Sequence, residues 1–185
     1  MHRIPLKAGR FLLSDPFLPD PNFNRTAVYL TAYDASGAVG FVVNRPTNLT
    51  LSDILPEFTG LTHRLFYGGP VEQNTLHFIH SCPQFSLDSK QIQPGVFWGG
   101  DLEAIALGIR NEIVGENQIR FFIGYSGWSA GQLDDELTEH AWFVSKAEIE
   151  CIFHDHPELL WKTVLAKMGT DFAVLGNSPP DLRFN

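Results

Sequence analysis

The sequence predicts an α+β protein, strand-rich in its first half and helical in its second, folded as a single compact domain. Three observations carry that expectation. Up to about residue 100, short β-branched and aromatic runs alternate with turns containing Gly and Pro. Beyond residue 101, apolar residues recur at helical spacing behind capping signals. Finally, 185 residues with 44% hydrophobic and 18% charged content, fifteen of them Phe, exclude a disordered chain. A chain of this size buries roughly 70% of its unfolded surface, enough for one core. The domain is expected over residues 1–175, and the tail 176–185, with Pro179-Pro180, is expected to be poorly ordered.

In order along the chain, Phe11-Leu12-Leu13 reads as a strand ending at the Pro-rich stretch Asp15 to Pro21. Thr26–Tyr33 and Ala38–Val43 flank Asp34-Ala35-Ser36-Gly37 and read as a hairpin. Leu65–Tyr67, Leu76–Ile79 and Val96–Trp98 are further short strands, for a total of about seven or more. Leu102, Ile105, Ala106, Ile109 and Ile113 share one helical face, with Asp101 as N-cap. Ile119–Ile123 reads as a strand, followed by a Gly-spaced turn and a helix from Gln132 to Glu139. Ser145-Lys146-Ala147-Glu148 has the form of a capping box opening another helix. The last helix places Leu160, Trp161, Val164, Leu165 and Met168 inward and stops at Gly169.

Thirteen Lys and Arg against 21 Asp and Glu leave a net charge of −8. Residues 1–100 are neutral, 101–160 carry −9 and 161–185 carry +1. Nucleic-acid binding needs a basic footprint. The one basic cluster is Arg3, Lys7 and Arg10, so direct nucleic-acid contact is disfavoured. Two cysteines are too few for a disulfide framework. The segment Met1–Lys7 lacks the apolar run of a signal peptide, and no stretch approaches the roughly 20 apolar residues of a membrane span. The expectation is a cytoplasmic, soluble protein with no membrane association.

Several clusters invite a chemical reading. Gly127-Trp128-Ser129-Ala130-Gly131 is a G-x-S-x-G between a strand and a helix, the context of a nucleophile elbow. Only about 56 residues follow it for the remaining members of a triad, and a glycine turn that contains a serine is favoured. His77, His80 and Cys82 suggest a metal, but strand alternation turns His77 away from the other two. His154-Asp155-His156 has the same weakness, so no metal and no cofactor is expected. Cys151 and His154 are spaced to touch on a helix, yet Glu148 and Glu150 argue against an activated thiol. Asp134-Asp135-Glu136 reads as a solvated face. The best candidate is a cleft at the ends of adjacent strands: Arg25, Asn44 and Arg45 on one side, Tyr125, Trp128, Gln132 and Glu136 on the other. In the bland alternative Arg25, Arg45 and Tyr125 tie loops to the core through hydrogen bonds and ion pairs.

Those residues also carry a family resemblance. The blocks Gly9–Thr26, Gly37–Pro46, Tyr67–Val71, Leu76-His77, Gly95–Asp101 and, most specific, Arg120–Leu137 with Trp142 resemble the YqgE/AlgH family of bacterial proteins. The likeness runs from about Gly9 to Gly169. It implies a bifurcated, partly barrel-like mixed sheet surrounded by helices. It implies no catalytic residue, since no catalytic activity is established for the family, whose members are often labelled transcriptional regulators. Departures are small: Ser129 where Gly or Ala is frequent, Ala27-Val28 for Val-Val, and Phe41 for Leu. The resulting expectation is a non-catalytic binding or regulatory protein acting on an unknown protein or small-molecule partner. Its candidate residues are Arg25, Asn44, Arg45, Asp101, Tyr125, Trp128, Gln132 and Glu136. The rivals are a hydrolase using Ser129 and a regulator contacting DNA directly. Oligomeric state is not legible.

Overall fold

The computed structural model describes residues 4–179. Ten strands and six helices follow in order: β1 (Arg10–Ser14), β2 (Ala27–Asp34), β3 (Gly37–Val42), β4 (Pro46–Thr50), α1 (Leu51–Ile54), β5 (Arg64–Tyr67), β6 (Val71–His80), β7 (Lys90–Gln93), β8 (Val96–Trp98), α2 (Leu102–Arg110), β9 (Ile119–Ser129), α3 (Gln132–Thr138), β10 (Trp142–Lys146), α4 (Ile149–Ile152), α5 (Pro157–Met168) and α6 (Thr170–Gly176). The main path of the sheet is β10-β1-β2-β3-β9-β6-β8-β7, curled into a half-barrel with the helices around it. All pairings are antiparallel except β5 with β9, so the sheet is mixed.

The sheet forks at β9. One side of this strand pairs with β6 along most of its length, from Ile119↔His80 to Tyr125↔Val71. The other side pairs with β5 over Phe121–Ile123 and then with β3 over Ser126–Ser129. Gly124 stands at the change of partner with φ +67, and a Cβ there would lie 2.7 Å from the Gly69 carbonyl oxygen and 2.8 Å from that of Val71. Only glycine fits a left-handed residue against backbone this close. The Ser126 hydroxyl and the Val42 N–H both donate to the Gly68 carbonyl, closing the fork from the far side.

Both faces of β9 are covered, which explains its near-continuous apolar run. Phe122 joins Phe11, Tyr29, Phe41, Phe66 and Ile79 under Trp161 and Leu165 of α5. Phe121 faces the opposite way, into Leu51, Leu65, Phe78 and the Ile105 and Ile109 side chains of α2. A third cluster packs Leu12, Val28, Leu30 and Val42 against Trp128, Leu133 and Trp142. Asp101 caps α2 as its sequence suggests, accepting from the N–H groups of Glu103 (2.9 Å) and Ala104 (3.1 Å).

Three local expectations are corrected. The strand at Ile119 does not stop at Ile123 but runs to Ser129, because β3 takes up the backbone groups beyond Gly124. The helix α2 ends at Arg110, so Ile113 is exposed and Val114 takes the buried place, with both N–H groups donating to the Gly108 carbonyl. The capping box at Ser145 does not form. Ser145 and Lys146 pair with Phe11 and Arg10 in β10, the Ser145 hydroxyl bonds the Lys146 carbonyl, and α4 begins later. Within the tail, Gly176 still belongs to α6 and the Ser178 carbonyl accepts from Arg25, while residues 180–185 lie outside the described residues.

Candidate functional site

Six of the eight sequence-predicted residues fall into two groups. Arg25, Asn44 and Arg45 gather on the loop between β1 and β2. The Arg45 guanidinium donates to the carbonyls of Asn22 (2.6 Å), Asn24 (2.9 Å) and Pro21 (3.1 Å). Burial pushes its pKa below the usual arginine range. Asn44 accepts from the Ala27 N–H and donates to the Arg25 carbonyl, both at 2.9 Å, holding Arg25 at φ +52. The Arg25 guanidinium lies 5.2 Å from the Trp161 ring centroid and donates to the Ser178 carbonyl.

Trp128, Gln132 and Glu136 form the second group. The Glu136 carboxylate accepts from the indoles of Trp142 (2.7 Å) and Trp128 (2.9 Å) and from the Gln132 amide (2.9 Å). Phe23, from the loop that Arg45 fastens, packs edge-on to Trp142 and stacks on Trp128. The two groups therefore meet through Phe23. Tyr125 packs edge-on to His77 instead, and Asp101 is spent on the α2 cap.

The other chemical clusters resolve simply. Ser129 remains extended strand paired with Gly37, and among the described residues no histidine hydrogen-bonds its hydroxyl. His80 is fully buried, with Nδ1 accepting from the Cys82 N–H and Nε2 donating to the Gly99 carbonyl. His77 lies on the opposite face beside Phe41, Trp98 and Tyr125. Cys151 does not meet His154. Its sulfur lies 3.5 Å from Lys167 Nζ, and that ammonium is hydrogen-bonded to Glu148. Burial raises both thiol pKa values, the opposite of activation. Among the described residues no three His, Cys, Asp or Glu side chains converge as metal ligands.

A cavity of about 400 Å³ opens at the N-terminal end of β9, and none of the eight residues lines it. Its walls come from Pro46 opening β4, His63 and Arg64 at the head of β5, Ile119–Phe121 of β9, and the Phe153–Pro157 junction between α4 and α5. At its base lies Arg120, 5% exposed. This side chain points to the Phe122 face of the sheet, where an apolar residue is expected. The Phe66 ring lies 4.3 Å from its guanidinium carbon. Nη1 donates to the Val43 carbonyl (2.6 Å) and Nη2 to the His154 carbonyl (2.9 Å). An arginine has five N–H donors. Two are therefore engaged, and among the described residues no carboxylate comes within ion-pairing distance. Burial lowers its pKa to about 10, with nearby Asp155 opposing, so the guanidinium stays charged at neutral pH.

His63 borders the same cavity. Both of its ring nitrogens are buried without a hydrogen-bond partner, and burial lowers its pKa against the pull of Glu116. The ring is thus neutral near pH 7, offering one donor and one acceptor. Glu116, Asp155 and Arg64 stand exposed around it. Arg120 is thus the one charge of this wall held in low dielectric. One signal in the sequence marks it: a lone cation among Ile119, Phe121 and Phe122 at an inward position of a strand. A second cavity, of about 510 Å³, is lined by Lys7–Arg10, Ile92–Pro94 and residues 147–150; Lys7, Glu148 and Glu150 there are exposed, and the half-buried Arg10 has its Nε buried without a partner.

The chain is similar throughout its length to known proteins. A family model described as DUF179, AlgH-like, matches residues 11–173. A UPF0301 protein of Cytophaga hutchinsonii is 40% identical over 181 residues, covering 97% of this chain and all of the relative. A UPF0301 protein of Chlorobaculum parvum is 36% identical over 174 residues, covering 94% and 93%. The solution structure of the AlgH protein from Pseudomonas aeruginosa superposes with a TM-score of 0.74 at 26% identity, covering 97% of this chain and 98% of that one. The crystal structure of protein DIP2367 from Corynebacterium diphtheriae has a TM-score of 0.80 at 19% identity over 96% and 95%, a likeness of fold alone. With the family model, these full-length relatives and the forked sheet in agreement, the chain belongs to the AlgH-like family.

Proposed function

We propose that the protein is a non-catalytic binding protein of the cytoplasm with a regulatory role, and that it works by taking a small molecule into the cavity at the base of β9. The observation that supports this is Arg120. A buried cation without a carboxylate partner is expensive to keep, and an apolar residue of similar size would fill the site at lower cost. Its retention makes sense if the charge meets something that comes from outside. The volume falls at the low end of pockets that enclose small ligands.

The residues first read as a cleft serve this function as scaffold. Arg45 and Asn44 spend their donors and acceptors on the β1–β2 loop, and Glu136 spends its carboxylate on two indoles and an amide. A regulatory effect on transcription needs no contact with DNA, and the −9 of residues 101–160 opposes one. The test is equilibrium dialysis of the protein against a small-molecule extract of bacterial cytosol, followed by mass spectrometry of what is retained. Wild type retains one or a few compounds that Arg120→Met does not. Equal retention by both, or none by either, contradicts the reading.

A further inference from the structure

Resting on that binding role, a narrower conclusion concerns the chemistry of the ligand. We infer that the cavity takes a small organic acid, a carboxylate or phosphate monoester on a compact apolar body, with its charged group on Arg120. Three features of the cavity carry this.

First, the free donors are of one kind. Three N–H groups of Arg120 have no acceptor among the described residues, and they belong to a planar group that matches an oxyanion. The engaged N–H groups hold the guanidinium in place from both sides, through the Val43 and His154 carbonyls, and Phe66 covers it. An incoming acid therefore meets a donor set already oriented, with little further ordering to impose.

Second, charge is graded with depth. The exposed Glu116 and Asp155 carboxylates outnumber Arg64 at the rim, but they face water and are screened. Arg120 lies beneath them in low dielectric, where an opposite charge is worth far more. His63, edge-on to Phe121, adds a donor and an acceptor to the same cavity wall. Because its ring makes no hydrogen bond in the unliganded protein, it loses none by turning toward a guest.

Third, part of the remaining wall is apolar. Pro46, Ile119, Phe121, Phe153 and Pro157 line the space away from Arg120. A bare inorganic anion leaves that wall uncovered, whereas an acid with an apolar body buries it.

The test is a titration of the isotopically labelled protein followed by amide NMR shifts, using matched probes: benzoate, phenyl phosphate, neutral benzamide, acetate and inorganic phosphate. Benzoate and phenyl phosphate are expected to shift resonances of Ile119–Phe121 and Phe153–Asp155, with whichever binds tighter telling carboxylate from phosphate. Benzamide, acetate and inorganic phosphate are expected to bind at least about 10-fold more weakly, the factor that one charge-assisted hydrogen bond or a few buried carbons contribute. Arg120→Lys is expected to weaken the aromatic acids by about 10- to 100-fold. His63→Phe, which removes no hydrogen bond from the free protein, is expected to weaken them and serves if the Arg120 variant does not fold. Benzamide binding in the cavity as tightly as benzoate overturns the acid while leaving a binding cavity. Cavity resonances that respond to none of the five probes overturn the binding role itself.

Discussion

Replacing Glu136 by Ala separates a scaffold from a recognition surface. The carboxylate accepts from two indoles that are 6% and 4% exposed, Trp128 and Trp142, so its loss strands two buried N–H donors. Each stranded donor costs about 1–3 kcal/mol. Glu136 is itself only half-buried, and water entering its place recovers part of that. The expected destabilisation is therefore about 2–4 kcal/mol, and with about 2–4 °C per kcal/mol for a chain of this size the midpoint should fall by about 4–16 °C. Glu136→Gln keeps a carbonyl oxygen for the indoles and is expected to lose only about 1 kcal/mol. Thermal and urea unfolding, read by Trp fluorescence and circular dichroism together, measure both. A Glu136→Ala protein within about 0.5 kcal/mol of wild type refutes the reasoning and returns that carboxylate to the solvent, free to meet a partner.

Other expectations follow from the same geometry. Gly124→Ala places a Cβ against two carbonyl oxygens at a left-handed residue and should prevent folding or cost more than about 3 kcal/mol, whereas Gly60→Ala, with φ +87 and open space, should cost only about 1–2 kcal/mol; comparable losses at the two sites contradict the fork. His63→Phe should stabilise the unliganded protein by about 1 kcal/mol in urea unfolding, since it removes two unpartnered buried nitrogens, and a loss of stability would show that the ring is bonded. Burial lowers the pKa of His63, His77 and His80 from 6.5, so below that value the unfolded chain binds more protons than the folded one. Their contribution is fully present above pH 6.5 and is lost as pH falls through the folded values, and the unfolding midpoint should drop between pH 7 and pH 5; a flat profile across that window contradicts it.

Much of the fold was legible because its signals are local. The β2–β3 hairpin, the Asp101 cap and the stop at Gly169 each rest on a few adjacent residues, and each stands where the sequence places it. What escaped depends on distant partners. Ser145-Lys146-Ala147-Glu148 satisfies the pattern of a helix start, but the edge of β1 lies beside it and strand pairing prevails. Likewise Gly124 reads as the beginning of a turn until β3 is known to flank it. The candidate site was legible only in outline. Strand ends do collect polar side chains, yet the sequence holds no sign that Arg45 would face three carbonyls of its own loop. Arg120 carries the stronger mark, a single cation in an apolar strand. Its meaning depended on the walls that residues 46, 63 and 153–157 bring to it from elsewhere in the chain.

The role of Arg120 is tested most directly by a crystal structure of the protein grown without organic acids in the medium and then soaked in benzoate. The account predicts benzoate in the cavity at the base of β9, its carboxylate on the free N–H groups of Arg120, with the Val43 and His154 hydrogen bonds retained. An empty cavity at saturating benzoate, or Arg120 turned into an ion pair with Asp155, would contradict it.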